Sequence, residues 1–356
     1  MTRPLVRRTS TRRSLVPLVP VVALLAAACS DDAGGGSSAD ATGDAAAESC
    51  YEGEVATFVV PYGTGGYDLI ARGIAPFLEE ELGGTVVVEN QPGAGSLLAA
   101  NNLFTAEPDG LTFGIFPTDG LVAATLADAQ GVNFELEEFT LVARVAVEPR
   151  VLLAGPPSGL TSIEDVMGAD QVQWATFGVG SPDHVDATVL PVILGIEENV
   201  QIVTGFSGFD EILQVAAAGD VDLHAGSLGS RIDAVRNGDL VPILIVGRDR
   251  VDEELPDVPT LFELEMENPE LAEPYVDLQA GGRSIIAPPD MPENCLTELQ
   301  DGLQAVLEGE EFQEVIGESV DVPLTYTSAE DLQEIIDSAL GAPDELVELL
   351  RTAFNE

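Results

Sequence analysis

The sequence predicts an α/β fold. Apolar or β-branched runs of strand length alternate with segments of helical period, and the connections between them are short. The runs end, on their carboxyl side, in Gly, Ser, Thr or Pro just before a helix begins, which is where ligands bind in open α/β sheets. At 356 residues the chain is long enough for two domains of ordinary size with full cores.

The first unit is the most informative. Thr57 to Val60 read as a strand, Pro61 stops its ladder, and Ile70, Ile74, Phe77 and Leu78 recur at helical spacing. Between them lies Tyr62-Gly63-Thr64-Gly65-Gly66-Tyr67-Asp68. Backbone N–H groups at such a helix start, with no side chain on Gly63, Gly65 or Gly66, can hold a carboxylate or phosphate. Asp68 either contacts that ligand or caps its own helix. Val86 to Glu89 is the next strand, ending at Asn90-Gln91-Pro92-Gly93-Ala94-Gly95 before a helix carrying Leu97, Ala100 and Phe104. Asn90, Gly93 and Gly95 either fix a tight turn or touch ligand. Leu111 to Phe116 follows, closed by Pro117-Thr118-Asp119-Gly120, which adds Thr118 and Asp119 as strand-end candidates.

Phe139 to Ala154 holds two apolar stretches broken at Glu148-Pro149-Arg150, long enough to carry the chain into a second domain. Gln173 to Phe177 is a strand running into Gly178-Val179-Gly180-Ser181-Pro182-Asp183-His184. There Ser181 reads as N-cap, Pro182 as the first helical residue, and Val185, Val189, Val192 and Ile193 as the buried face. Val200 to Thr204 leads through Gly205-Phe206-Ser207-Gly208 to a helix with Phe209, Ile212, Leu213 and Ala216 in register. Val221 to Ala225 ends at Gly226-Ser227. Ser207 and Ser227 are ligand contacts or plain N-caps, and His184 a contact or a structural hydrogen-bonding partner. Leu240 to Val246 starts the return, and Ser284 to Ala287 with the helices after Pro292 completes the first domain. Trp174 reads as core, and Pro76 and Pro191 as helix kinks.

Charge narrows the partners. The chain has no Lys, and five of its 14 Arg lie in the first 13 residues. Beyond residue 28, nine Arg face 62 acids, a formal balance of −53. Nucleic acid is excluded as a partner, since binding it needs a basic face. The 45% hydrophobic content excludes a wholly disordered chain.

Residues 1–28 read as a lipoprotein signal peptide: Arg7, Arg8, Arg12 and Arg13 form a basic region and Leu15 to Ala28 an apolar one. Leu25-Ala26-Ala27-Ala28-Cys29 resembles a bacterial lipobox, with Ala26 where Leu is usual, which makes Cys29 the lipidated N-terminus and places the rest outside the cytoplasm. Thr11-Arg12-Arg13-Ser14-Leu15-Val16 resembles a twin-arginine export signal, and an ordinary leader with clustered Arg is the other reading. Residues 29–49, rich in Gly, Ser, Ala and Asp, form a flexible tether; a coil of about 20 residues spans roughly 25 Å. Cys50 and Cys295 remain. In an oxidising compartment they read as a disulfide, assigned roughly 4 to 5 kcal/mol at most by the chain-entropy model, with two buried thiols as the alternative. His184 and His224 are the only histidines, so no Cys/His metal spacing exists and no metal or cofactor is expected.

These junctions, in order, resemble the tripartite tricarboxylate transporter substrate-receptor family, also called the Bordetella uptake family. The resemblance rests on Val60-Pro61, Gly65-Gly66, Asp68 and Ala71-Arg72, then on Val88-Glu89-Asn90-Gln91-Pro92-Gly93-Ala94-Gly95 and Pro108-Asp109-Gly110. Gly178 to His184, Gly219-Asp220-Val221-Asp222, Asn237-Gly238-Asp239-Leu240 and Pro256-Asp257-Val258-Pro259-Thr260 continue it, over roughly residues 54 to 340. It implies a two-lobed periplasmic-binding-protein fold, each lobe a mostly parallel sheet flanked by helices, with lobe 1 at 50–146 and 250–356 and lobe 2 at 147–249. It further implies a monomer that grips a small carboxylate in the cleft and delivers it to a two-subunit membrane permease. By position the gripping loops are Tyr62 to Asp68 and Gly178 to His184, with Phe206 to Gly208 and Ser227 nearby. The second loop departs from the family's serine- and threonine-rich pattern, holding only Ser181 before Pro182 and Asp183.

Enzyme readings find little support. The Gly63 to Gly66 loop lacks the Gly-Lys-Ser/Thr of a phosphate-binding loop, and neither histidine stands beside a Gly-x-Ser-x-Gly nucleophile. A glycosidase-like carboxylate pair cannot be picked out among 62 acids. The remaining alternative to a transport receptor is a surface lipoprotein that senses a carboxylate and signals to a membrane partner.

Overall fold

The computed structural model describes residues 49–147, 149–251, 255–320 and 323–355. The leader, the lipidation residue Cys29, the tether up to residue 48 and Glu148 at the expected crossing lie outside the described residues. The chain runs β1 (Val55–Val60), α1 (Gly66–Leu82), β2 (Thr85–Asn90), α2 (Leu97–Phe104), β3 (Thr112–Pro117), α3 (Thr118–Leu126) and β4 (Thr140–Ala146). Then come β5 (Arg150–Ala154), α4 (Ile163–Met167), β6 (Val172–Thr176), α5 (Pro182–Leu194), β7 (Val200–Thr204), α6 (Phe209–Ala218), β8 (Leu223–Ser227), α7 (Ile232–Arg236) and β9 (Val241–Val246). The return adds α8 (Ala272–Leu278), β10 (Arg283–Ala287), α9 (Glu293–Glu308), α10 (Glu310–Val320), β11 (Leu324–Ser328), α11 (Ala329–Leu340) and α12 (Asp344–Asn355).

Two helix-flanked sheets result, ordered β11-β4-β10-β3-β1-β2 and β7-β6-β8-β5-β9. The expected parallel pairing holds for three strands of each. Phe58 of β1 pairs with Val88 of β2 and Phe113 of β3, and Trp174 of β6 with Ile202 of β7 and Leu223 of β8. Beyond β3 and β8 the ladders are antiparallel, because β10 and β5 enter from the other sheet rather than through a helical crossover.

Apolar periodicity explains the layering. Ile70, Ile74 and Leu78 put one stripe of α1 into a cluster with Phe58, Phe113, Leu299 and Leu303 on one face of the first sheet. Ile212 and Ala216 of α6 do the same for Val151 and Leu153 of the second. A third cluster joins both sheets: Val59 and Phe116 share it with Leu152 and Trp174, and α3, α5, α8, α11 and α12 contribute to it. α5 sits in that layer and is therefore buried almost all round, not on one stripe.

The chain leaves the first sheet after Ala146, enters the second at Arg150, leaves it after Val246 and rejoins the first at Arg283. These two crossings touch. Gly282, at φ 53°, lies so close to Ala146 and Val147 that a Cβ on it would stand 2.4 Å from the Ala146 carbonyl oxygen. Residues 255–263, expected with the first lobe, instead stay with the second sheet, where Thr260 bridges to Ile245 and Leu255 and Val258 join the Val151 cluster. No strand or helix period marks this stretch; backbone bonds and a Thr260–Glu263 capping box hold it. The C-terminal helix likewise touches both sides, Phe354 lying 4.8 Å from the His184 ring and Asn355 donating to the Ala127 carbonyl.

Cys50 and Cys295 form a disulfide, Cα atoms 5.3 Å apart, tying the segment before β1 to the first turn of α9. Among the described residues, no helix is long and apolar enough to cross a membrane.

Candidate functional site

The carboxyl ends of β1, β6 and β8 surround a cavity of about 40 Å³. Its wall comprises Tyr62 to Tyr67, Phe177, Pro182, Asp183, Gly208, Phe209, Ala225 to Ser227 and Ser230, together with Arg150, Arg231 and Arg283. A second chamber of about 20 Å³ shares Tyr67, Arg150, Ser227 and Arg283 with it and adds Asp119, Ala146, Val147, Gln279 and Gly282. Both are small; a single water needs on the order of 10–15 Å³ measured this way.

The first wall is the glycine loop. Gly65 sits at φ 148° as N-cap of α1 without a side-chain cap, so the first-turn N–H groups of the helix have no helical partners. The loop's opening N–H is committed elsewhere: Gly63 donates to the Ser207 carbonyl at 3.0 Å. Thr64 Oγ1 donates to Asp210 Oδ2 at 2.7 Å. These two bonds join the loop before α1 to the loop and first turn of α6, closing the rim of the cavity.

Three of the nine arginines beyond the leader meet here. Arg150, the first residue of β5, pairs with buried Asp186 of α5, its Nε 2.8 Å from Oδ2. Asp186 also accepts from Tyr275 and Gln279. Burial works against the Arg150 charge, but Asp186 outweighs it and holds the guanidinium protonated. Arg231, just before α7, lies over the Phe209 ring at 3.9 Å and presents Nε and Nη2 to His224 Nε2 at 3.3 and 3.2 Å. His224 Nδ1 stands 3.1 Å from the Ala175 carbonyl, which assigns its proton to Nδ1 and leaves Nε2 as acceptor. Burial and the Arg231 charge push His224 well below its ordinary range, so it is a neutral prop for a cation. Arg283, the first residue of β10, reaches across to donate to Ser230 Oγ at 2.6 Å, its guanidinium 4.8 Å from the Tyr67 ring.

Two buried acids complete the electrostatics. Burial pushes the Asp119 carboxyl up to about 7 against the opposing pull of Arg150. Burial likewise pushes Asp183 up to about 6, opposed by hydrogen bonds such as that from the Phe177 N–H. An array of cations, serine hydroxyls and backbone donors around a small cavity can hold a small anion.

Of the residues predicted from the sequence, Tyr62, Gly63, Thr64, Gly65, Gly66, Gly208 and Ser227 line the main cavity, and Asp119 the second chamber. Others stand outside the wall. Asp68 accepts from Asn90 at 2.8 Å and pairs with Arg72 at 2.9 Å, and Asn90 also donates to the Tyr62 carbonyl, so this trio braces the loop from behind. Thr118 is buried beside Gly281 and Gly282. The second loop turns away: Ser181 donates to the Gly178 carbonyl instead of capping α5, and Gly180 packs on Leu97 and accepts from Ser96. His184 is buried against Phe354, and that burial lowers it to about 4. Phe206, Ser207 and Gly178 line a separate outer groove. The lining residues that the sequence reading did not reach include the three arginines, Phe177, Phe209 and Ser230, while Tyr67 and Asp183 fall inside the two expected loops without having been singled out. A signal for two existed, since Arg150 and Arg283 each open an apolar run in a chain with few cations.

Two helix-flanked sheets with a polar cavity at their strand ends define a two-lobed solute-binding protein. The chain belongs to the receptor family of the tripartite tricarboxylate transporters, whose model matches residues 70–350. Its relatives include a UPF0065 protein of Bordetella pertussis, 24% identical over 296 residues, covering 82% of this chain and 87% of that one. Protein BugT of the same organism is 26% identical over 214 residues, 58% of this chain and 64% of that one. Among solved structures, the periplasmic binding protein BugD superposes with a TM-score of 0.71 at 23% identity, over 85% of this chain and 98% of that one. MatC of Rhodopseudomonas palustris, solved with bound malate, gives 0.68 at 23% identity, over 85% and 99%. An R. palustris protein solved with adipate gives 0.69 at 22% identity, over 83% and 97%.

Proposed function

We propose that this protein is an extracytoplasmic receptor, anchored through lipid on Cys29, that captures a small carboxylate between its two lobes and delivers it to a two-subunit permease without chemical change. The observation that carries this is the convergence of Arg231, Arg283 and the Gly65–Gly66 helix start on one small cavity in a chain otherwise dominated by acids. Arg150 is neutralised by Asp186 and serves as scaffold, while Arg231 and Arg283, held by His224 and Ser230, add positive charge to the wall. Gly282, just before β10, backs onto Ala146 and Val147 at the end of β4. Family membership and the malate and adipate held by two relatives of the same fold support a carboxylate ligand. A thermal-shift panel of mono-, di- and tricarboxylates against neutral sugars tests the reading, because a cleft ligand stabilises the protein once it exceeds its dissociation constant. Carboxylates should raise the melting temperature and sugars should not; response to sugars alone overturns the assignment.

A further inference from the structure

We propose that the ligand carries a hydroxyl or ammonium beside its carboxylate, and that Asp183 selects for that donor. The proposal rests on the reading of the cavity as a carboxylate site and narrows its ligand class.

Asp183 lines the cavity and is only 2% exposed. Its Oδ2 accepts from the Phe177 N–H at 2.9 Å, while its Oδ1 has no hydrogen-bond partner. The neighbouring donors are already engaged. The Ser181 hydroxyl donates to the Gly178 carbonyl at 2.5 Å and lies near enough to the Asp183 carboxyl to favour its charged form, but it makes no hydrogen bond to Oδ1. His224 gives its Nδ1 proton to Ala175 and comes no nearer to Asp183 than 3.9 Å. Arg150 directs Nε and Nη2 to Asp186. A buried carboxylate oxygen without a donor is costly, and its presence in a binding cavity calls for an occupant that supplies one.

The same cavity wall also carries donors: Arg231, Arg283, Ser227 and the start of α1. A plain carboxylate satisfies only those. A 2-hydroxy or 2-amino acid satisfies both, its carboxylate toward the arginines and its donor on Asp183 Oδ1. The cavity is small, which favours a ligand whose donor sits on the carbon next to the carboxylate. A water on Oδ1 is the competing occupant, and it predicts no preference between acids with and without the donor.

Isothermal titration of the intact protein with matched pairs decides between them: L-malate against succinate, L-lactate against propionate, and L-alanine against propionate. The donor-bearing member should bind roughly tenfold or more tightly in at least one pair, as expected when a built acceptor meets or misses its donor. Asp183→Asn keeps an oxygen for the Phe177 N–H and sets an amide donor where Oδ1 stood. It should abolish the preference. Equal binding within every pair by the unaltered protein, a comparison that needs no variant, overturns the proposal. So does a preference that survives in Asp183→Asn. Failure of every acid to bind refutes the carboxylate reading itself, and the two failures are thereby told apart.

Discussion

At Gly66 the backbone is packed closely enough that one added carbon decides whether the cavity can close. A Cβ there would stand 2.1 Å from Ser230 Oγ and 3.3 Å from Arg283 Nη1, the pair that spans the two sheets. The obstruction is thus to the Ser230–Arg283 contact as well as to a ligand approaching the loop. Gly66→Val should fold, since α1 keeps its buried stripe, yet lose carboxylate affinity by about a hundredfold or more, on the order of 3 kcal/mol. A folded variant with undiminished affinity in titration would remove this loop from the site. Asp119 makes a second residue-scale prediction. Its folded value of about 7 lies above the ordinary 3.8, so the native state holds the proton more tightly, and the penalty of the buried charge grows from about pH 4 to about pH 7 and is constant above. Asp119→Asn should therefore leave stability unchanged below about pH 4 and raise it by at most about 4 kcal/mol above pH 7. Urea melts of both proteins across that range should diverge with rising pH; parallel curves would refute the raised value. Only part of this site was legible in the sequence. The glycine loop and Ser227 announce themselves by local chemistry, whereas Arg231 and Asp183 acquire their roles from partners on other strands, His224 on β8 and Phe177 at the end of β6, which local spacing does not reveal.

Among the elements, strands were the most legible because their apolar runs are bounded by Pro and Gly. Val55–Val60, Val172–Thr176 and Val200–Thr204 fall within two residues of their expected limits. α3 was not legible, for Pro117-Thr118-Asp119-Gly120 reads only as the close of a strand while the chain in fact enters a helix at Thr118. Gly120 fits there because a Cβ would meet the Gly180 carbonyl oxygen at 2.4 Å, a tertiary reason that outweighs helix propensity. The Gly178–Ser181 loop was legible as a loop but not in its direction: Leu97 and Ser96 of the neighbouring layer draw it away from the cavity. The disulfide is an element-scale staple, joining the entry to β1 with α9 across a sequence separation of 245. In the chain-entropy model its loss costs roughly 5 kcal/mol as an upper bound. It lies on the α1–α9 face of the first sheet, among residues absent from the cavity wall. The Cys50→Ser, Cys295→Ser double variant should accordingly melt lower in calorimetry while binding carboxylate with unchanged affinity where it is folded. An affinity loss in the folded double variant would show that the staple also shapes the site.

Across the whole molecule, the charge balance of −53 surrounds an interior that gathers three arginines. Most of the remaining cations are engaged at the surface: Arg72 with Asp68, Arg236 with Asp233, Arg248 with Glu273 and Asp277, Arg250 with Glu263, and Arg351 with Asp128 and Glu348. Exposed pairs of this kind contribute about 0–1 kcal/mol each, so screening them costs little, whereas the unpaired acids far outnumber them and repel one another. An anionic ligand must cross that field before it reaches Arg231 and Arg283. At about 0.1 M salt the Debye length is about 10 Å, long enough for the surface acids to act in concert, and near 1 M it falls to about 3 Å. Salt should therefore raise both the unfolding free energy and the carboxylate association rate, the reverse of the usual loss of steering for an oppositely charged pair. The dissociation rate, governed by contacts inside the cavity, should change much less. Unfolding and stopped-flow association measured from roughly 0.05 to 2 M NaCl, which takes the Debye length from above 10 Å to below 3 Å, check both expectations. If neither quantity moves with salt, the acidity serves solubility alone and the field plays no part in capture.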